Sequence, residues 1–214
     1  YYGIPDMKKS IKEYEVFENI LKENVENIWY LPEDNITNLD SIYAHDSLKI
    51  TKKGAIYFNM TKDVRKNESI ASEEFLKSIG VETLGYIKEP GRMEGGDVLW
   101  LDDKTVAIGL SYRTNEEGIR QFKELTKDFI DEVITVPLPH GVGDGEVLHL
   151  MSLISPVDEK LAVVYSKYMP VFFRELLIEK GIELLEVDDD EYEYLGCNVL
   201  TLAPKVCVVR RCWM

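Results

Sequence analysis

Cysteine is scarce: the 214 residues hold only Cys197, Cys207 and Cys212, all in the last stretch of the chain. An odd, late set of this kind makes no disulfide framework, and no CxxC pair or His/Cys spacing marks a zinc site. A reducing cytoplasm is the expected compartment. Positive charge is also in deficit. Lys and Arg number 25 against 39 Asp and Glu, a net charge of −14 and a pI of about 4.7. Such a surface repels phosphate backbones and anionic headgroups, so neither nucleic acid nor a membrane surface is an expected partner. No apolar run approaches the ~18–20 residues that span a bilayer, and no signal-type n-region and h-region is present. What remains is globular composition, 45% apolar and 30% charged, long enough for one large domain or two small ones.

Repetition organises the chain. Residues 46–51, a Lys52-Lys53-Gly54 turn and residues 55–60 read as a β-hairpin. A helix capped by Ser72, acidic in its first turn and stopped at Gly80, leads to a strand over 81–87. The same strand, strand, helix, strand order recurs. Residues 97–101 and 105–110 form a hairpin, the Thr114-Asn-Glu-Glu117 capping box opens a helix, and a strand covers 132–138. A third copy has a hairpin from His149 to Tyr165, a helix over 170–180 stopped by Gly181, and a strand over 182–187. A fourth hairpin runs from Asn198 to Val209. Before them all, a helix over 5–22 and a strand over 25–31 read as half of an earlier unit. The hairpins begin at Asp46, Asp97, His149 and Asn198, spaced by 51, 52 and 49 residues. Three full units and two halves make about five, and such units stack or ring up around an axis to bury their sheets. A coincidental α+β meander is the competing reading. Against it stands the polar or ionisable residue that leads every hairpin.

Four segments at these positions, Tyr43-Ala-His-Asp46, Glu94-Gly-Gly-Asp97, Ser111-Tyr-Arg-Thr114 and Leu148-His-Leu150, resemble the guanidino-group-modifying enzymes: dimethylarginine dimethylaminohydrolases, arginine deiminases and amidinotransferases. The resemblance covers nearly the whole chain. It implies an α/β fold, a five-bladed ββαβ propeller of pentein type, as a single domain over 1–214 incomplete at both ends. A guanidinium is a planar cation that stays protonated near neutral pH, so attack on its carbon needs carboxylates to hold it, a nucleophile, and a proton donor for the departing amine. By resemblance, Asp46 binds the guanidinium, and Glu94 binds it and orients His149, the general acid and base. Arg113 forks the substrate's α-carboxylate, Asp97 supports the site at its strand start, and Arg65 is a second carboxylate contact. The implied partner is a small guanidino compound with no metal or organic cofactor, and a homodimer is compatible with the pattern.

Each residue taken alone has an ordinary reading. Asp46 and Asp97 suit turns at strand starts, His149 a core position, Arg113 a solvated surface, and Glu94 the flank of a flexible turn; their order along the repeat is what favours a site. The Gly141–Gly145 loop opens no helix and makes a poor phosphate site. Two departures from the family pattern stand out. Arginine deiminases and amidinotransferases carry a second Asp two residues after the histidine, where this chain has Met151; an apolar residue there suits an alkylated guanidinium. The family's Gly-rich nucleophilic cysteine segment is expected about one repeat beyond Asn198, past Met214, and the chain reads as a fragment. Cys197 and Cys207 read as small core residues, and Cys212 follows Arg210-Arg211 outside any family motif. Deiminase or amidinotransferase chemistry on the same scaffold is the near alternative. A non-catalytic propeller, such as a ribosome-binding anti-association factor, is the alternative of another class.

Overall fold

The computed structural model describes residues 5–141, 143–145 and 148–209. The chain forms two compact units, Tyr1–Pro32 and Glu33–Met214. In the first, α1 (Met7–Asn24) is capped by Asp6, whose carboxylate accepts the Lys8 and Lys9 N–H groups at 3.0 and 3.2 Å. The strand expected over 25–31 does not form. None of those residues joins a ladder, and a backbone without a neighbouring strand has nothing to pair with.

The second unit carries the repeat. Its first copy has strands β1 (Leu48–Thr51) and β2 (Gly54–Tyr57), helix α2 (Glu68–Ser78) and strand β3 (Thr83–Tyr86). Then come β4 (Val98–Trp100), β5 (Thr105–Leu110), α3 (Glu116–Thr126) and β6 (Glu132–Pro137). The third copy is β7 (Ile154–Asp158), β8 (Leu161–Val164), α4 (Val171–Glu179) and β9 (Glu183–Glu186). A short helix α5 (Asp189–Glu193) precedes a last hairpin of β10 (Leu200–Ala203) and β11 (Val206–Val208). In every three-stranded sheet the first two strands are antiparallel, and the third, returning after the helix, lies parallel to the second. The α/β class and the ββαβ order are as the spacing indicated.

The middle sheet is the best buried because its strands are apolar on both faces. Val98, Val106 and Ile108 point into a cluster with Ile119 and Phe122 of α3 and with Ile56 and Phe58. Leu99 and Ala107, one residue out of phase, join Leu150, Ile154, Phe173 and Leu177. Alternate residues of two short strands therefore tie the middle copy to those on either side.

Three boundaries differ from the sequence reading. Ser72 is not a cap: α2 begins at Glu68, and the Ser72 hydroxyl lies buried 3.2 Å from that of Ser47. The cap of α3 is Asn115, whose side chain accepts the Gly118 N–H at 2.9 Å, because the Thr114 hydroxyl is spent on Asp97. In the third copy a 3-10 turn over Leu150–Ser152 separates His149 from β7, moving the hairpin five residues onward and putting Pro156 inside a strand.

Phe122 is fully buried between α3 and the middle sheet. Phe122→Ala should cost ~3–5 kcal/mol, and the exposed neighbour change Lys123→Ala within ~0.5 kcal/mol; urea unfolding of the two variants measures both.

Candidate active site

Short turns ahead of the strands bring the lead residues together. Asp46 ends the loop before β1, a 3-10 turn over Gly95–Asp97 precedes β4, and His149 stands just before the turn that precedes β7. Backbone bonds lock these turns edge to edge. The Gly95 N–H donates to the Asp46 carbonyl at 2.8 Å, and the Leu150 N–H donates to Asp97 Oδ1 at 3.0 Å. The two glycines are a steric requirement here. A Cβ on Gly95 would sit 2.0 Å from the His45 carbonyl oxygen, and one on Gly96 would sit 2.6 Å from the His149 ring.

The resulting cluster is dense. One ligating atom each from Asp46, Glu94 and His149 lie within 4.8 Å of one another, and this is the one group among the described residues that could hold a metal ion. Glu94 is fully buried. Its Oε2 is 3.5 Å from His149 Nε2 and has no hydrogen-bond partner, while Oε1 accepts the Thr61 N–H at 3.3 Å and lies 3.5 Å from Arg113 Nη1. Asp97 accepts hydrogen bonds of 2.7 Å from both the Ser111 and Thr114 hydroxyls, and its Oδ2 is 3.3 Å from His149 Nδ1. Burial alone would lower the His149 pKa. Asp97, by its close approach and charge, then Asp46 and Glu94, outweigh it, and the pKa is raised.

Arg113 is also buried, and its Nη2 has no hydrogen-bond partner. It lines a cavity of about 330 Å³ walled by Leu110, Leu138, Leu148, Tyr112 and His140. The Tyr112 hydroxyl and His140 Nδ1 are bonded at 2.6 Å at that wall. Asp46, Glu94, Asp97, Arg113 and His149 are thus joined through short contacts.

Arg65 also contacts Asp46, and its other partners are a carboxylate and a backbone carbonyl. Its Nε and Nη2 fork Glu68 at 2.7 and 2.8 Å, Nη1 donates to Asp46 Oδ2 at 3.0 Å, and Nη2 reaches the Asp40 carbonyl at 3.3 Å. Burial opposes the Arg65 charge, but these partners outweigh it and its pKa rises. Two ionisable residues beside Asp46 escaped the sequence reading. Glu68, three residues after Arg65 at a helix start, carried a recoverable i,i+3 pairing signal. Lys49, buried on β1 and pushed down to about 8 by desolvation against the pull of Asp46, carried none. Met151 meets His45: its sulfur is 3.3 Å from Nε2. Cys197 is buried with Leu153 and Tyr165, and desolvation pushes its thiol up to about 12. Cys207 lies on β11, while Cys212 falls outside the described residues.

A family model described as N,N dimethylarginine dimethylhydrolase, eukaryotic, matches residues 6–211, and the chain belongs to this family. The N(G),N(G)-dimethylarginine dimethylaminohydrolase of Pseudomonas aeruginosa is 30% identical over 204 residues, 92% of this chain and 72% of that protein. The protein YkgA of Bacillus subtilis is 27% identical over 191 residues, 89% of this chain; the match spans 62% of the length of YkgA. Among solved structures, a dimethylarginine dimethylaminohydrolase histidine-to-glycine variant in adduct with S-methyl-L-thiocitrulline superposes with a TM-score of 0.78 at 23% identity, over 94% of this chain and 73% of that one. The fold is therefore that of the pentein-type α/β enzymes. No helix among the described residues is long and apolar enough to cross a membrane.

Two tests follow from this geometry. Gly96→Ala should push the His149 ring off Asp97, and an NMR titration should find its pKa lowered toward the ordinary value of about 6.5. Because folding raises the His149 pKa, its stabilising contribution is full below about pH 6.5 and is lost as pH rises through the folded value. Urea unfolding across pH 5–9 should show this alkaline decline in the parent chain and its loss in His149→Asn.

Proposed function

We propose that this protein hydrolyses the guanidinium of arginine or a methylated arginine, on a five-bladed ββαβ ring, through a covalent amidino-cysteine intermediate. The observation that supports this reading most is the convergence of Asp46, Glu94 and His149 within 4.8 Å in a chain of this family. Two carboxylates there suit a planar cation, and the histidine beside Glu94 suits proton transfer at the same carbon.

In the proposed sequence Asp46 and Glu94 hold the guanidinium, and a thiolate attacks its central carbon. The amine leaves with a proton from His149, giving a thiouronium. His149 then takes a proton from water, the oxygen adds to the same carbon, and expulsion of the thiolate leaves a ureido product. No metal takes part. Cys197, with its thiol pushed up to about 12, is a poor source of thiolate at neutral pH. We assign the nucleophile to a cysteine about one repeat beyond Asn198. The raised His149 pKa keeps a protonated fraction available for the leaving amine. Arg113, with a buried and unpartnered Nη2 beside the cavity, would take the α-carboxylate.

Calorimetry on the 214-residue chain tests this. Arginine should bind with a Kd of roughly 0.1–10 mM, and agmatine, which lacks the carboxylate, at least ~5-fold more weakly, by ~1 kcal/mol. Arg113→Leu should erase that difference. Equal affinity for the two ligands in the parent chain would remove Arg113 from the site. Citrulline release by this chain alone would return the nucleophile to one of its three cysteines.

A further inference from the structure

Strand β1 carries one side chain at odds with its place. Lys49 and Thr51 lie on the buried face, Leu48 and Ile50 on the other. Lys49 is only 9% exposed and stands opposite Ile56, a member of the apolar cluster shared with the middle copy. Such a position ordinarily takes an apolar residue, and a lysine there carries its ammonium out of water.

Buried cations are normally paired. The arginines of the site obey this: Arg113 stands 3.5 Å from Glu94, and Arg65 is in ion pairs with Asp46 and Glu68. Among the described residues the Lys49 ammonium has no hydrogen bond and no ion pair. Asp46, three residues earlier, is the one charge that favours its protonated form. Desolvation outweighs that attraction and pushes the amine down to about 8, which leaves it mostly charged at pH 7. Its field also reaches His45, pushed down to about 4 by desolvation first and by Lys49 next. Asp46 therefore faces a cation supplied by the chain itself. A guanidinium held by Asp46 and Glu94 adds a second positive charge near the first, and in a partly dry site that repulsion is several-fold larger than in water. A ureido group of the same shape has no charge and escapes it.

We propose that Lys49 sets how strongly the site prefers a guanidinium to the neutral ureido group it becomes. The lysine charge holds substrate affinity down and leaves product affinity unchanged, so the two stand closer than the carboxylates alone would put them. Binding a substrate more tightly than its concentration requires adds nothing to turnover. This rests on the guanidino-binding reading above and adds to it a residue that fixes charge selectivity.

The test is calorimetry at pH 7 on the 214-residue chain with arginine, agmatine and citrulline, the neutral counterpart of arginine, which is read by competition against arginine. Lys49→Met is unbranched, of similar length and suited to the apolar face. It should tighten arginine and agmatine by ~5-fold or more and leave citrulline within ~2-fold of the parent. Lys49→Gln, a second neutral replacement, should do the same, and it carries the test if circular dichroism finds Lys49→Met unfolded. Lys49→Arg keeps the charge and should hold all three ligands within ~3-fold of the parent. The expected change is a gain, which damage to the fold does not produce. Unchanged or weaker arginine binding in a folded neutral variant overturns the proposal. So does citrulline tightening by the same factor, which would mark an effect of packing, or an equal gain in Lys49→Arg. If neither the parent nor the neutral variants bind arginine or agmatine, the guanidino reading falls and the proposal with it; parent binding with an unaltered Lys49→Met removes the role of Lys49 alone.

Discussion

The cluster hangs on a carboxylate with no solvent exposure. Asp97 accepts two hydroxyls from its own copy of the repeat and a backbone N–H from the next, and it stands beside the ring of His149. A buried charge is tolerated only when its lone pairs are engaged. Meeting that condition dictates the surroundings: Ser111 and Thr114 must turn inward, Leu150 must start a turn instead of a strand, and His149 is held at that turn's edge. The expectation that Asp97 supports the site from a strand start becomes, in the structure, a clasp between two copies of the repeat.

Much of this was legible in the sequence because it is local. Hairpins announced by turn residues, helices ended by Gly80 and Gly181, and the three-fold recurrence all depend on near neighbours along the chain. The two cap misreadings share one cause, a side chain claimed by a distant partner, and the strand misreading has the opposite one, a backbone with no partner at all. Thr114 looks like a cap but belongs to Asp97; Ser72 looks like a cap but faces Ser47; residues 25–31 look like a strand but have no ladder. The candidate site divides the same way. Asp46, Glu94, Arg113 and His149 were recoverable from the order of short motifs, whereas Lys49 reads as an ordinary alternating strand residue and only three-dimensional packing reveals it as buried. Arg65 was recognised, but its partners, which determine what it can do, were not.

Surface and interior follow different electrostatic rules. Outside, the excess of carboxylates spreads a negative potential that favours the approach of cations. Inside, charges sit beside opposites within a few ångströms, as Arg65 does with Asp46 and Glu68 and Arg113 with Glu94. For the guanidino ligand proposed above, the first effect acts on encounter and the second on fit.

Each three-stranded ladder closes within one copy of the repeat, while the bonds that assemble the cluster cross between copies, as in the contact from Leu150 to Asp97 over 53 residues. Ladders and cluster therefore need not be lost together. Local pairings tolerate a loosening of one copy against the next; contacts shared between copies do not. Under mild denaturant, amide protons in β5 should stay protected after the ring of His149 has gained access to solvent, so the region where chemistry is proposed is also the seam along which the protein opens first.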